Sequence, residues 1–370
     1  MTKNKMLLIG IGIVVLLGIV SVVIYKNRQL TADGNIIRIG ANLSLTGSMP
    51  YWSTQIRNGM DMAVSELSKD DIKIIYEDNQ GNAKGAISAF RKLTEQDVCA
   101  VVTAHTSIAV PQQVLADQAR IPLIGTVVGV SDFGEKNKWS FIDWPAHEDV
   151  VPPLVEYMIR ELNCRRAAIL VVNDDYGSTG AKVFSRKFVQ SGGTISGSES
   201  IANTEKNLRP ILAKLLVNGV DSLYTITREE TLLNVIKQSR EMGFNGYIVG
   251  DHAMASSIID KGLPDNLTGI AFCGSKGIVE IEKAAPKFAA NYAKAYGENP
   301  DWVALYGYSL AEYVIDAVHK SNGDRVELQK SLSEVDMDTI RGHVKMAKNR
   351  KIDTACVVYI RKSGRFVMVK

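Results

Sequence analysis

Cysteine is scarce in this chain: four residues, at positions 99, 164, 273 and 356 of 370. No two have the CxxC spacing that a zinc site or thiol redox centre needs, so no metal site is expected. Three of the four lie in or beside apolar runs, where a thiol serves as a small buried hydrophobe. An oxidising compartment would allow a disulfide, and the spacing names no pairing. An excess of one charge is also missing. The chain has 43 basic and 40 acidic side chains, a net charge of +3. No long Lys/Arg stripe is interleaved with aromatics, and nothing points to nucleic acid. Absent too are GxSxG, HExxH, a phosphate-binding loop and a strand followed by GxGxxG. Asp174 and Asp175 are adjacent at a strand end and point in different directions, which makes them a poor acid/base pair. An enzyme is therefore not expected, nor a cofactor.

What is present is ordinary for a globular body, with 46% hydrophobic and 22% charged residues. The length exceeds what one core usually absorbs, so two domains are expected. The N-terminus stands apart. Lys3 and Lys5 precede an apolar run over 6–25, closed by Lys26 and Arg28. Twenty helical residues span about 30 Å, the hydrocarbon thickness of a bilayer. No Ala-x-Ala site or lipid-anchor cysteine follows, which favours an uncleaved signal anchor over 1–30 rather than a cleaved signal peptide. The flanking charges nearly balance and orient the segment weakly. An export signal ahead of a soluble body places that body on the periplasmic or extracellular face, anchored by the N-terminal helix or secreted if cleaved.

After a polar link over 29–35, apolar runs of strand length alternate with amphipathic helical stretches. Strands are expected at 36–42, 72–76, 99–103 and 121–125, with helices at 54–67, 83–94 and 109–118. Following a segment at 139–144 and a helix at 148–162, a second series begins. Its strands fall at 167–172, 194–200, 222–226 and 246–250, and its helices at 180–191, 208–217 and 229–242. Helices near 282–296 and 304–320 and strands near 355–360 and 366–369 complete the chain. The order βαβα implies an α/β fold with two Rossmann-like parallel sheets in series.

Ligands of open parallel sheets bind beyond the carboxyl ends of the strands. The residues there are Ser44, Thr46 and Trp52; His105, Thr106 and Ser107; Thr126 and Gly129; Asp174, Asp175 and Tyr176; Thr227 and Arg228; and Asp251 and His252. Facing lobes would turn them into an aromatic-walled cleft for a small polar ligand. Thr106 and Ser107 could instead cap a helix beginning near Ala109. Arg228 could pair with Glu229 or Glu230 on the surface. Trp52, Tyr176 and Arg228 are not residues that capping calls for. His147, His319 and His343 are expected to be ordinary surface or satisfied histidines.

At these loops the chain resembles the periplasmic binding proteins of the leucine/isoleucine/valine type, whose type I fold serves ABC importers. The resemblance runs from about 36 to 369. It is carried by IRIGANLSLTGSMPYWSTQIRNGMDMAV, IIYEDNQGNAKGAISAFRKL, IPLIG, AAILVVNDDYGSTGAKVF, GVDSLYTI, IKQSREMGFNGYIVGD and ALYGYSLAEYVIDAV, in that order. It implies a Venus flytrap of two lobes, 35–145 plus 273–343 and 146–272 plus 344–370, joined by three crossings near 144–148, 268–274 and 342–346. It also implies a ligand that is an amino acid or another carboxylate, and docking of the closed form on an ABC permease. A tethered sensing ectodomain with a separate signalling partner is the alternative role. His105, Thr106 and Ser107 match the loop that holds the ligand carboxylate. Val127, Val128 and Gly129 match a backbone-donating loop, with Gly129 where amino-acid binders often carry threonine. Trp52 and Tyr176 match the aromatic walls. Asp251 or His252 stands where an acid would hold the ligand ammonium. Arg228 and His252 suit an anion better than an ammonium, so an amine-free carboxylate, an aromatic one among them, competes with an amino acid.

Overall fold

The structure, a computed structural model, describes residues 36–369 apart from Ser48, Asn218 and Glu280. The expected N-terminal anchor lies outside the described residues. Among those described, no helix is long and apolar enough to cross a membrane.

The first half builds β1 (Ile37–Leu43), α1 (Pro50–Leu67), β2 (Ile72–Asp78), α2 (Ala83–Glu95) and β3 (Ala100–Ala104). There follow α3 (Thr106–Ala109), α4 (Gln113–Ala119), β4 (Leu123–Thr126) and β5 (Ser140–Asp143). The strands form one parallel sheet in the order β2-β1-β3-β4-β5. Every residue of β3, β4 and β5 is buried, as expected for apolar runs covered on both faces.

The second half repeats the scheme with α5 (His147–Arg160), β6 (Arg166–Val172), α6 (Asp175–Gln190), β7 (Thr194–Ile201), α7 (Arg209–Leu215) and β8 (Ser222–Ile226). It continues through α8 (Glu229–Glu241), β9 (Tyr247–Gly250), α9 (Ser257–Gly262) and β10 (Ile270–Ser275). The chain returns to the first lobe through α10 (Ile281–Ala284), α11 (Pro286–Tyr296), α12 (Trp302–Ser321) and α13 (Arg325–Ser333). A small antiparallel sheet of β11 (Asp336–Thr339), β12 (Gly342–Met346) and β13 (Ile352–Asp353) packs beside α12. Finally β14 (Cys356–Lys362) and β15 (Arg365–Met368) join the second sheet antiparallel, giving the order β15-β14-β10-β9-β8-β6-β7. The edge strand β7 alternates exposed and half-buried residues, as a strand with one wet face does.

The crossings differ from the sequence expectation in two places. The span 268–274 is largely β10, which pairs with both β9 and β14 and so belongs wholly to the second sheet; the crossing follows it. The span 342–346 is β12, a strand of the small sheet, and the chain returns to the second lobe only between β13 and β14. Helix α12 is buried along nearly its whole length and lies against α1. Their backbones touch at two glycines. A Cβ on Gly59 would fall 2.1 Å from the Ala304 carbonyl oxygen, and one on Gly307 would fall 2.3 Å from that of Ile56. The four cysteines are free thiols, and all but Cys356 are buried.

Candidate functional site

Counted from its own first strand, each sheet runs 2-1-3-4-5, and the second continues with its two antiparallel strands β14 and β15. In such sheets the direction of winding reverses beside the first strand, and the crevice there is where ligands bind. In the first sheet that point lies between β1 and β3, and in the second between β6 and β8. The loops leaving these four strands carry Trp52, His105, Tyr176 and Arg228. The lobes therefore meet switch point to switch point.

Trp52 sits in the first turn of α1. The helix starts at Pro50 rather than near 54 because proline at the first position is preformed for a helix. Its indole stacks on the His105 ring (centroids 6.1 Å, 24°) and meets Trp302 edge-on at 5.6 Å. Trp302 continues to Trp144 at 5.3 Å, and Trp144 to His252 at 4.4 Å. The chain of rings thus runs from the first lobe through the hinge into the second.

In the second lobe, Asp174 caps α6 by accepting from the Gly177 N–H at 2.8 Å, and its other oxygen accepts from Arg228 Nη2 at 2.9 Å. This fixes the start of α6 at Asp175, earlier than the expected 180, and places Tyr176 in its first turn. The Tyr176 ring packs on His147 at 4.4 Å, and the Arg228 guanidinium lies 5.4 Å from its centroid. The Tyr176 hydroxyl donates to Asp251 Oδ2 at 2.7 Å, and Asp251 Oδ1 accepts from the Ala253 N–H at 3.1 Å.

Gly129 is where the lobes touch. A Cβ there would fall 2.5 Å from Tyr176 Cε2 and 2.9 Å from His147 Nε2. Its own N–H donates to Thr106 Oγ1 at 3.0 Å. A second cross-lobe contact lies at the rim. Asp301 caps α12, and its Oδ2 accepts both from the N–H of Ser257, the first residue of α9, at 3.2 Å and from the Tyr51 hydroxyl at 3.0 Å. Cavities of about 380 Å³ and about 260 Å³ flank the ring cluster, the first lined by Tyr51, Asn203 and Arg228, the second by Ser257, Asp301 and Trp302.

Most of the expected residues come together here: Trp52, His105, Thr106, Gly129, Tyr176, Arg228, Asp251 and His252 are all buried. Several expectations need correction. Thr106 and Ser107 are not caps, because α3 begins at Thr106 with His105 as its N-cap. Ser107 is only half-buried. Arg228 pairs with Asp174, not with Glu229 or Glu230, because its side chain turns inward across the start of α6. His252 Nε2 accepts from the Ser275 N–H at 3.0 Å and so anchors to β10. Val127 is buried in a left-handed conformation (φ 55°), and His105 (φ 70°) and Glu229 (φ 52°) also have positive φ. Such strain in non-glycine residues gathers at binding loops.

His147, expected to be an ordinary surface or satisfied histidine, is buried in the cluster, where Nε2 donates to the Tyr176 carbonyl at 3.0 Å and Nδ1 has no partner. Trp302 and Tyr306 were missed altogether. Both sit at the start of an almost wholly apolar helix, where the sequence signals core rather than site. The one local clue was Asp301 just ahead of Trp302, a helix-cap residue that moves the start of α12 upstream.

The cluster is rich in unpaired donors. Trp52 Nε1 and Trp302 Nε1 are buried without a hydrogen-bond partner, as are both nitrogens of His105 and Nδ1 of His252. Trp144 Nε1 faces the Tyr176 hydroxyl without good hydrogen-bond geometry. Burial pushes the imidazoles of His105 and His252 down to about 3 and that of His147 to about 4, so all three are neutral near pH 7. The nearby Arg228 charge helps to lower His105. Burial also raises the Asp251 carboxyl, against the opposing bond from Tyr176. Buried polar groups without partners are rare in native proteins, and their concentration between two switch points fits a ligand site.

Comparison with known proteins agrees. The family model described as "Periplasmic binding protein" matches residues 36–364. A Leu/Ile/Val-binding protein homologue of Brucella abortus is 22% identical over 313 residues, 80% of this chain and 82% of that protein. A leucine-binding protein of Thermotoga maritima superposes with a TM-score of 0.81 at 17% identity, covering 90% of this chain and 98% of that one. A solute-binding protein of an ABC transporter from Rhodopseudomonas palustris, in complex with 3,4-dihydroxybenzoic acid, also gives 0.81, at 18% identity over 90% of this chain and 96% of that one.

Proposed function

We propose, since the chain belongs to the periplasmic binding protein family, that it is the extracytoplasmic solute-binding component of an ABC importer. It takes an amino acid or a related small carboxylate into the cleft between its lobes and hands it unchanged to a membrane permease. The observation that carries this is the meeting of two switch points at one buried cluster of rings and unpaired donors. Trp52 and Tyr176 wall the ligand from opposite lobes, and the loop His105-Thr106-Ser107 with Arg228 receives its carboxylate. Closure is a population shift, since a ligand that contacts both lobes favours the state in which they meet. The apolar run over 6–25 holds the protein at the outer face of the cytoplasmic membrane.

A thermal-shift screen of amino acids, amine-free acids and aromatic acids identifies the ligand, because binding raises the melting temperature by mass action. Calorimetry on Trp52→Ala and Tyr176→Ala then tests the site. Each is expected to weaken binding about tenfold or more, as loss of a buried aromatic anchor does. Unchanged affinity in both variants would remove the cleft assignment. The same fold on a tether also suits a sensing ectodomain. Loss of ligand uptake in a deletion strain argues for import; retained uptake with a lost cellular response to the ligand argues for sensing.

A further inference from the structure

We infer that Tyr51, Asp301 and Ser257 form a latch across the rim of the cleft that needs no ligand: it keeps part of the empty protein closed and raises the affinity for every ligand by one common factor. This rests on the two-lobed closure proposed above and goes beyond it.

Tyr51 and Asp301 belong to the first lobe and Ser257 to the second. Ser257 reaches the first lobe through two bonds. Its N–H donates to Asp301 Oδ2 at 3.2 Å, and its hydroxyl lies 2.8 Å from that of Tyr51. Tyr51 donates in turn to Asp301 Oδ2 at 3.0 Å. A phenol has one proton to give, so the Ser257 hydroxyl donates to the Tyr51 oxygen. Asp301 Oδ1 accepts from the Trp302 N–H at 2.7 Å. Gln55, which is buried, holds the carboxylate from behind. Its Oε1 accepts from the Asp301 N–H at 3.4 Å and from the Tyr292 hydroxyl at 2.7 Å. The anchor therefore moves with the first lobe. Within the triad, only the two bonds of Ser257 form or break as the lobes meet or part.

The triad differs from the ring cluster beside it. Trp52, His105 and Trp302 keep buried nitrogens without partners, which a ligand satisfies. The polar atoms of the latch satisfy one another or are satisfied by the fold. Closing therefore gains the same bonds whether the cleft is full or empty. Latch and cluster act together because they share elements. Tyr51 adjoins Trp52, Asp301 adjoins Trp302, and Ser257 follows His252 in the next short helix. Apparent affinity scales with the population of the binding-competent state. A contact that favours the closed state and does not touch the ligand thus multiplies the affinity for all ligands alike. One net hydrogen bond corresponds to roughly two- to tenfold.

The test begins without a ligand. The Ser257 and Trp302 amides bond to the same carboxylate, the former across the lobes and the latter within the first lobe. Hydrogen exchange resolved at these two amides separates the latch from the helix cap. In the empty wild-type protein both are expected to be protected. Tyr51→Phe keeps the ring and removes the hydroxyl. Ser257→Ala removes the other half of the same bond and keeps the amide. Each is expected to lower the protection factor at position 257 by roughly two- to tenfold and to leave Trp302 unchanged. Because a single bond is broken from opposite lobes, the double variant should lose no more than either single one. A Ser257 amide that exchanges in the empty wild type as fast as in an unfolded peptide would overturn the latch. So would one unmoved by Tyr51→Phe, or single losses that add in the double variant. An equal loss at Trp302 would overturn it too, since the triad would then belong to the fold of the first lobe. Calorimetry next measures Kd for L-leucine, L-phenylalanine, benzoate and 4-hydroxybenzoate. Each probe that binds should weaken by the same factor in Tyr51→Phe; unequal factors would put the Tyr51 hydroxyl on the ligand and overturn the latch. Trp52→Ala and Tyr176→Ala report on the cleft instead. Unchanged affinity in both removes that assignment, while the exchange result decides the latch whether or not a probe binds.

Discussion

Both ring nitrogens of His105 are buried without a partner, in a residue held at positive φ. Its imidazole stays neutral down to about 3 in the fold, whereas in an unfolded chain it protonates near 6.5. Between those values the unfolded state binds a proton that the folded state refuses, so stability is full above about 6.5 and falls as pH drops. The slope is about 1.4 kcal/mol per pH unit for one such histidine. The buried carboxyls Asp143, Asp251 and Asp301 are shifted up and act in the opposite sense, so the effect is read as a difference. Between pH 7 and 5, urea unfolding of the wild type should lose about 2 kcal/mol more than that of His105→Asn, a residue that tolerates positive φ. Equal losses would show that His105 is not buried in the neutral form. The residue types at the strand ends were legible in the sequence; their partners were not. Arg228 finds Asp174 and Tyr176 finds Asp251 across 54 and 75 positions, distances that no local pattern encodes.

At the scale of elements, strands were easier to read than helix starts. Continuous apolar runs such as those of β3 and β8 have no competing explanation in a chain of alternating helices. Helices α1, α3 and α6 begin three to five residues before their apolar periodicity is visible, because Pro50 and the Asp174 cap set the boundary rather than the hydrophobic face. Those few residues matter: Trp52, Thr106 and Tyr176 all lie in the first turns that were missed. The strands of the small sheet are short and alternate in burial, with β13 only two residues long, and gave no sequence signal. The crossing of α1 and α12 has a direct test. Gly59→Ala forces a methyl group onto the Ala304 carbonyl, and as overpacking it should cost about 1–3 kcal/mol or more of unfolding free energy. A substitution that leaves the urea midpoint unchanged would mean that the helices cross elsewhere.

For the whole molecule, the repeated α/β order already implied two sheets, whereas the path between them was harder to see. The crossings depend on which sheet β10, β12 and β14 join, and that is settled by antiparallel pairing at long range. The hinge also holds a buried ion pair, Asp143 with Arg341 from the turn between β11 and β12, stacked on Tyr306 at 4.0 Å. The small sheet thus braces the crossing rather than standing apart from it.

Position 129 has a practical consequence. Because only a hydrogen atom fits between its Cα and the Tyr176 ring, any larger side chain there acts as a doorstop. Gly129→Val should leave each lobe folded while holding the two ajar. Small-angle scattering would then report a larger radius of gyration than the wild type's, and one that no longer contracts when ligand is added. An identical scattering curve for the two proteins would mean that the lobes do not shut on this glycine. A protein jammed in this way is a ready reference state for building a fluorescent reporter of whatever solute the native cleft captures.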